Sequence, residues 1–244
     1  MGNPFSWWRS FLALPNNHPG KIIGMALLVA GVASFFVSFT AVTLQPLREA
    51  NRERAGKAGM LAIIEQLGAV APESRFVELS SGNYVKKDSG IWKQIPPNRD
   101  LAHIGQLEDV ATIYEVRVGS TLSLTILPIR GKGYKSTLQG FLALKDDFNT
   151  VAAVKFHEHD ETPGFGANIE KDSWTDLWPD KEIANANGEI VIEVVKGRAK
   201  GINQVDGISG ATRTGNGVTK LIRFWLGPDA YGPYLDRLRR GDTQ

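Results

Sequence analysis

Apolar residues gather first in one unbroken stretch. Positions 22–44 read IIGMALLVAGVASFFVSFTAVTL, 23 residues without a formal charge. As a helix this run rises about 35 Å, more than the about 30 Å of a hydrocarbon core. Gly24, Ala26, Ala30, Gly31, Ala33 and Ser34 give it small residues for close packing against another membrane helix. Trp7 and Trp8 precede it, where interfacial aromatics belong. A cleaved signal peptide is the competing reading, but the run exceeds a signal core of about 7–15 residues and no clear small-x-small cleavage site follows. A buried soluble helix is a third reading. The pattern predicts a single-pass anchor, 22–44, carrying one larger domain.

Beyond it, 45–68 predicts a linking helix, with Leu47, Ala50, Ala58, Leu61, Ile64 and Leu67 on its apolar side and Gly68 as its stop. A polar region bearing Pro and Gly runs to about Asp109 and predicts no strand. Strict alternation then begins: Leu122, Leu124 and Ile126 interleave with Thr121, Ser123 and Thr125 over 121–129. The ranges 140–145, 150–159 and 189–195 predict three more strands, separated by turn-forming clusters. Helical spacing returns at Val218, Leu221, Ile222, Trp225 and Leu226, predicting a helix over 217–226 that Gly227-Pro228 ends. No repeat of 20–50 residues and no low-complexity tract occurs. Strands in a meander, without strict strand–helix alternation, predict an α+β domain over 69–244 with a mostly antiparallel sheet and packed helices.

Composition narrows the chemistry. Lys+Arg 28 against Asp+Glu 26 leaves a net charge of +2, so no nucleic-acid partner is implied. With 42% hydrophobic and 22% charged residues, wholesale disorder is excluded. Cysteine is absent, which removes disulfides, thiol nucleophiles, Cys-ligated zinc and protein-held iron–sulfur clusters. Arg9 and Lys21 stand before the apolar run, whereas Arg48, Arg52, Arg54 and Lys57 follow it. Counted literally, those charges place the large domain in the cytoplasm.

Three places carry candidate chemistry. Asp206-Gly207-Ile208-Ser209-Gly210-Ala211-Thr212 lies between a predicted strand and the last long helix. Small residues there allow close backbone approach, and a helix start favours an anion, phosphate above all. Thr214 or Asn216 could cap the helix. An ordinary strand–helix connection reads the same way. A serine-hydrolase elbow fails, because the final Gly of G-x-S-x-G is missing and every histidine precedes Ser209. The second place is His157-Glu158-His159-Asp160-Glu161. Strand alternation would put His157, His159 and Glu161 on one face, like two histidines and a carboxylate around Fe(II); a solvated strand end is the alternative. The third, Arg130-Gly131-Lys132-Gly133-Tyr134, reads as a basic turn. Trp174, Trp178 and Trp225 are expected in the core.

The D-G-I-S-G-A-T segment closely resembles the flavinylation motif of covalent FMN-binding proteins, in which the final Thr is esterified to the FMN phosphate. Its surroundings resemble one family more narrowly, the C-subunit of the Na+-translocating NADH:quinone reductase. Three blocks carry the likeness: Pro128–Tyr134 with Gly140–Leu144, Glu158-His159 followed by Glu161–Gly166, and Val205–Val218. It covers about residues 20–240. The chain departs from the family where Lys135 replaces Trp or another large residue and Phe165 replaces Leu.

The resemblance implies an FMN held by a phosphoester to Thr212, with Asp206, Ser209, Gly210 and Ala211 shaping the motif. Thr212 is then an attachment point, and no residue is catalytic. A separate Mg2+-dependent flavin transferase, with FAD as donor, makes the bond. Glu161, Thr162, Gly164 and Phe165 would lie against the ring, displacing the iron reading, and Lys132 and Gly133 would belong to the pocket. A cation there favours reduced flavin. No G-x-G-x-x-G follows a strand, so NADH is expected to bind elsewhere. The resemblance implies an electron-carrier subunit in a bacterial inner-membrane complex that relays electrons toward a second flavin and ubiquinone while Na+ moves. It also implies a cytoplasmic segment 1–21 and a periplasmic domain, against the charge count. Two other readings stand: the G-subunit of an Rnf-type ferredoxin:NAD+ complex, and a membrane-anchored flavin module that senses redox state or supports assembly.

Overall fold

A computed structural model describes residues 6–69, 71–86 and 90–242. The chain forms two compact units, Met1–Glu53 and Arg54–Gln244. In the first, helix α1 (Ser6–Ala13) is followed by α2 (Pro19–Gln66), which continues into the second. The apolar run and the expected linking helix are therefore one element, passing through Pro46 without a break. This helix is long and apolar enough to cross a membrane, and the apolar window has no buried residue. Lys21 Nζ donates to the carbonyls of Leu12 and Leu14 and satisfies the end of α1. The Trp7 side chain lies outside the described residues; Trp8 stacks on Phe11 at 5.6 Å.

The second unit is built on a six-stranded antiparallel sheet. Its strands are β1 (Glu73–Glu78), β2 (Tyr84–Val85), β5 (Val110–Val118), β6 (Thr121–Lys132), β7 (Thr137–Lys145) and β8 (Val151–Glu158), in the order β2-β1-β5-β6-β7-β8. Strands β3 (Trp92–Gln94) and β4 (Gln106–Glu108) make a separate hairpin. The region expected to lack strands thus contributes β1, an interior strand of the sheet. Its ESRFVE sequence hides it, because only Val77 is fully buried. After β8 come a 3-10 turn (Gly166–Glu170), α3 (Asp172–Thr175), β9 (Glu193–Val194), β10 (Gln204–Val205), α4 (Thr212–Leu226) and α5 (Gly232–Arg239). The strand expected over 189–195 shrinks to β9, paired in parallel with β10. Asn185 Oδ1 accepts from the N–H of Asn187 and Glu189 and turns the preceding chain back on itself.

Register divides the sheet into two faces. Leu127 pairs with Leu142, and Leu142 with Val154, on the side that buries Val218, Leu221, Ile222 and Trp225 of α4. Burying each such aliphatic side chain contributes about 1.5–3 kcal/mol. Ile126, Ala143 and Ala153 point the other way, onto Ile63 of α2. The buried stripe of α2 is Gly59 and Ile63, supported by Met60, Ile64 and Leu67, whereas Leu61, expected inside, is exposed. The helix ends as expected at Gly68 (φ +59°), with Ala69 N–H donating to Ile64 O and Gly68 N–H to Glu65 O. Trp174, Trp178 and Trp225 are all buried.

Candidate functional site

Helix α4 begins at Thr212, five residues ahead of the range its apolar spacing predicts. Its first turns, T-R-T-G-N-G, show no amphipathic stripe because they pack through small residues. A Cβ on Gly217 would lie 2.6 Å from the Lys132 carbonyl oxygen, so this side of the helix touches the end of β6 with nothing between. Neither expected cap serves as one. Ala211 occupies the N-cap position and offers no side-chain bond, which leaves the first-turn N–H groups without a side-chain cap. Thr214 is buried inside the helix, and its Oγ1 donates to Glu161 Oε2 at 2.6 Å.

Glu161 therefore does something the sequence did not assign. It lies just beyond β8, 4% exposed, and its Oε1 accepts from the N–H of Lys135 (2.8 Å) and Ser136 (3.0 Å). One carboxylate thus joins the β6–β7 turn, the loop after β8 and helix α4. Burial pushes its carboxyl up, but hydrogen bonds from Thr214 and from the backbone of Ser136, Lys135 and Tyr134 outweigh that and hold it below the ordinary value. The space it fills explains two neighbours. A Cβ on Gly133 or on Gly166 would come within 2.7 Å of a Glu161 carboxylate oxygen.

The motif loop is held from both sides. Asp206 Oδ1 accepts from Ala199 N–H (2.7 Å), and its carbonyl accepts from Trp174 Nε1 (2.9 Å). Gly207 N–H donates to Gly197 O, and Ala211 N–H to Ile208 O. Gly210 has φ +74°, and a Cβ there would strike the Phe165 ring at 2.7 Å. Phe165, 52% exposed, consequently lies against the loop that precedes Thr212. Its own loop is folded by the N–H of Phe165 and Ala167, which both donate to Thr162 O, with Gly164 at φ +77°.

Thr212 is exposed and lines two recesses at once. One, about 430 Å³, runs between Phe165 and Tyr134, with Thr162, Glu161 and Thr214 among its walls. The other, about 390 Å³, is lined by Lys196, Arg198, Asp206 and Ser209. Both volumes fall in the range of small-molecule sites. Arg213 stands over the Tyr134 ring at 5.1 Å. The structure thus brings Asp206, Ser209, Gly210, Ala211, Glu161, Thr162 and Phe165 to walls that meet at Thr212. Gly164 is exposed beside them, Gly133 packs beneath them, and Lys132 is exposed and lines neither recess. Sequence reasoning missed Arg213, Lys196 and Arg198; a basic residue adjoining the motif was the available signal.

The three side chains of the iron reading, His157, His159 and Glu161, make separate contacts. His157 stacks on Phe141 at 5.1 Å and packs against Gly59 of α2. Burial lowers its pKa, with Glu158 opposing. His159 instead sits 3.3 Å from Glu170, while Glu161 turns to Thr214. Among the described residues, no three His, Asp or Glu side chains gather to hold a metal.

An FMN-binding domain model matches residues 133–227, the stretch that holds all of these walls. Over most of its length the chain is similar to the C-subunit of the Na+-translocating NADH-quinone reductase from Pseudomonas aeruginosa, with 36% identity covering 90% of this chain and 95% of that one. The C-subunit from Vibrio alginolyticus is 33% identical, covering 95% and 99%. Among solved structures, Shewanella oneidensis NqrC superposes with a TM-score of 0.69 at 26% identity, covering 79% of this chain and 99% of that one.

Proposed function

This chain belongs to the C-subunit family of the Na+-translocating NADH-quinone reductases, and from that premise we propose that it carries electrons through an FMN tethered by a phosphoester to Thr212. The observation that carries the proposal is the position of that hydroxyl. Thr212 is exposed, opens α4 where no side chain caps the helix, and stands where an aromatic-rimmed recess meets a basic one.

These residues fit the group. The recess between Phe165 and Tyr134 would hold the ring, with Thr162 in reach as a donor. The first-turn N–H groups, the positive end of the α4 dipole and the Lys196–Arg198 side would hold the phosphate. Gly210 keeps Phe165 close to the attachment point. Bound there, the flavin supplies one- or two-electron exchange. The protein supplies position and charge: Glu161 fixes the walls, and Asp206 fixes the loop that presents Thr212. No residue here needs to move a proton or form a bond to substrate.

In this reading a flavin transferase completes the chain, α2 anchors it in the bilayer, and other subunits deliver and collect electrons while Na+ is moved. The large domain is placed in the periplasm, as the family resemblance implies, and the flanking charges weigh little against it because domains of this size cross membranes largely regardless of them. The natural absence of cysteine makes that directly testable. A single cysteine placed at exposed Lys200 should react with an impermeant maleimide in intact cells; reaction only after lysis reverses the orientation. Mass spectrometry of the peptide spanning Thr212, from full-length protein made beside a flavin transferase, tests the tether. An added FMN-sized mass on Thr212 is expected, and a bare threonine overturns the assignment.

A further inference from the structure

The sequence placed the flavin's cationic neighbour at Lys132, and the structure leaves that side chain outside both recesses. Another cation occupies the wall. Arg213 directly follows Thr212, lines the aromatic-rimmed recess and holds its guanidinium over the Tyr134 ring at 5.1 Å, within cation–π range. Among the described residues, no carboxylate pairs with it. Tyr134, 53% exposed, has no packing that needs a charge above it. Phe165, equally open, lines the same recess, which therefore carries two exposed aromatic rings, one of them with a positive charge above it.

We propose that Tyr134 and Arg213 together form a flavin-binding wall, and that Arg213 sets the potential of the bound isoalloxazine. This rests on the Thr212 tether argued above. Reduction adds negative charge to the ring system, and a cation on the recess wall, paired with no carboxylate among the described residues and offset only in part by the phosphate on Thr212, stabilises that charge more than the neutral oxidised form. Tyr134 holds the guanidinium by its ring face, which limits the rotamers that a free arginine would sample. The buried charge below, Glu161, acts in the opposite sense. It is already satisfied by Thr214 and by two backbone N–H groups, which directs its field into its own donors. Arg213 is partly in water, so its influence is screened by salt.

The test uses full-length protein in detergent, flavinylated during expression. Spectroelectrochemical titration of wild type, Arg213→Gln, Arg213→Lys and Tyr134→Leu is done at low and at molar salt. Arg213→Gln should shift the flavin potential to more negative values at low salt. The shift should correspond to about a fivefold loss in the reduced-to-oxidised equilibrium constant, the scale of one unit charge acting at contact distance through water. Molar salt should shrink the difference, and Arg213→Lys should restore most of it. Tyr134→Leu should shift the potential part of the way and raise flavin fluorescence, because an aromatic quencher has gone. An Arg213→Gln potential equal to wild type at low salt overturns the proposal. Should Arg213→Gln take up no flavin, Tyr134→Leu decides: wild-type potential and fluorescence in that variant overturn the proposal. A wild-type chain with bare Thr212 removes the tether itself, an outcome distinct from flavinylated variants that behave like wild type.

Discussion

Thr214 Oγ1 donates to Glu161 Oε2 at 2.6 Å across 53 residues of chain, and both groups are buried. Neither has to touch a ligand to matter. The bond fixes the start of α4 against the loop after β8, and the other carboxylate oxygen fixes the β6–β7 turn. Those three segments supply walls of the recess shared by Phe165, Tyr134 and Thr212.

Glu161→Gln should therefore weaken the fold as well as the site. The amide oxygen can keep the Lys135 and Ser136 N–H groups, but Nε2 then faces Thr214 Oγ1 and leaves that buried hydroxyl's hydrogen without its acceptor. A loss of about 1–3 kcal/mol is expected for a buried donor left unmatched, read from chemical unfolding of the full-length protein in detergent. The pH sign follows from the lowered carboxyl. Its stabilisation is complete above the ordinary value of 4.5 and is lost as pH falls through the lower folded-state value. Below pH 4.5 the variant should lose less further stability than wild type; equal slopes would remove Glu161 from this role.

Thr212→Ser keeps a hydroxyl at the same exposed place, and Thr212→Val keeps the shape without it. In-gel flavin fluorescence should survive at least partly in the first and vanish in the second. Both should unfold within about 0.5 kcal/mol of wild type, because the side chain supports nothing else. Fluorescence retained in Thr212→Val at full length contradicts the tether.

Gly217→Ala tests how closely α4 meets β6. The added methyl would lie 2.6 Å from the Lys132 carbonyl oxygen, a backbone atom that cannot swing aside. Helix propensity favours alanine by up to about 1 kcal/mol, but overpacking of about 1–3 kcal/mol opposes it. Net destabilisation in urea is expected, and an unmoved midpoint would show that the helix can retreat without cost.

His157 gives a second pH dependence, of the same sign. Burial between Phe141 and α2 holds its pKa below 6.5, so protonation costs more in the folded state. Its contribution is complete above pH 6.5 and falls as pH drops through the folded-state value. The melting temperature should decline more steeply from pH 7 to 5 in wild type than in His157→Phe, which retains the aromatic stack.

Much of this was legible from spacing and motif. The run 22–44, the alternation at 121–129 and the stripe Val218–Leu226 announced an anchor helix, a sheet strand and a covering helix, because each obeys one periodicity over its whole length. Strand β1 was invisible, since ESRFVE carries charge on residues that an interior strand can still leave exposed at its start. The beginning of α4 was invisible for the opposite reason: T-R-T-G-N-G lacks apolar residues, yet it is helical because glycine allows the backbone against β6. The motif at 206–212 marked the recess by chemistry alone. What no pattern could reveal was that Glu161 faces Thr214, or that Arg213 faces Tyr134; those pairings exist only after the sheet has set its register.

Synthesis imposes an order on that register. The sheet emerges from the ribosome well before α4, so the face carrying Leu127, Leu142 and Val154 waits in water until α4 follows. A chain stopped ahead of position 212 would expose a greasy plate with no lid and display no acceptor hydroxyl. Premature termination ahead of that helix would then yield sticky fragments for proteases to clear, and the folded loop exists only in molecules that already carry α4.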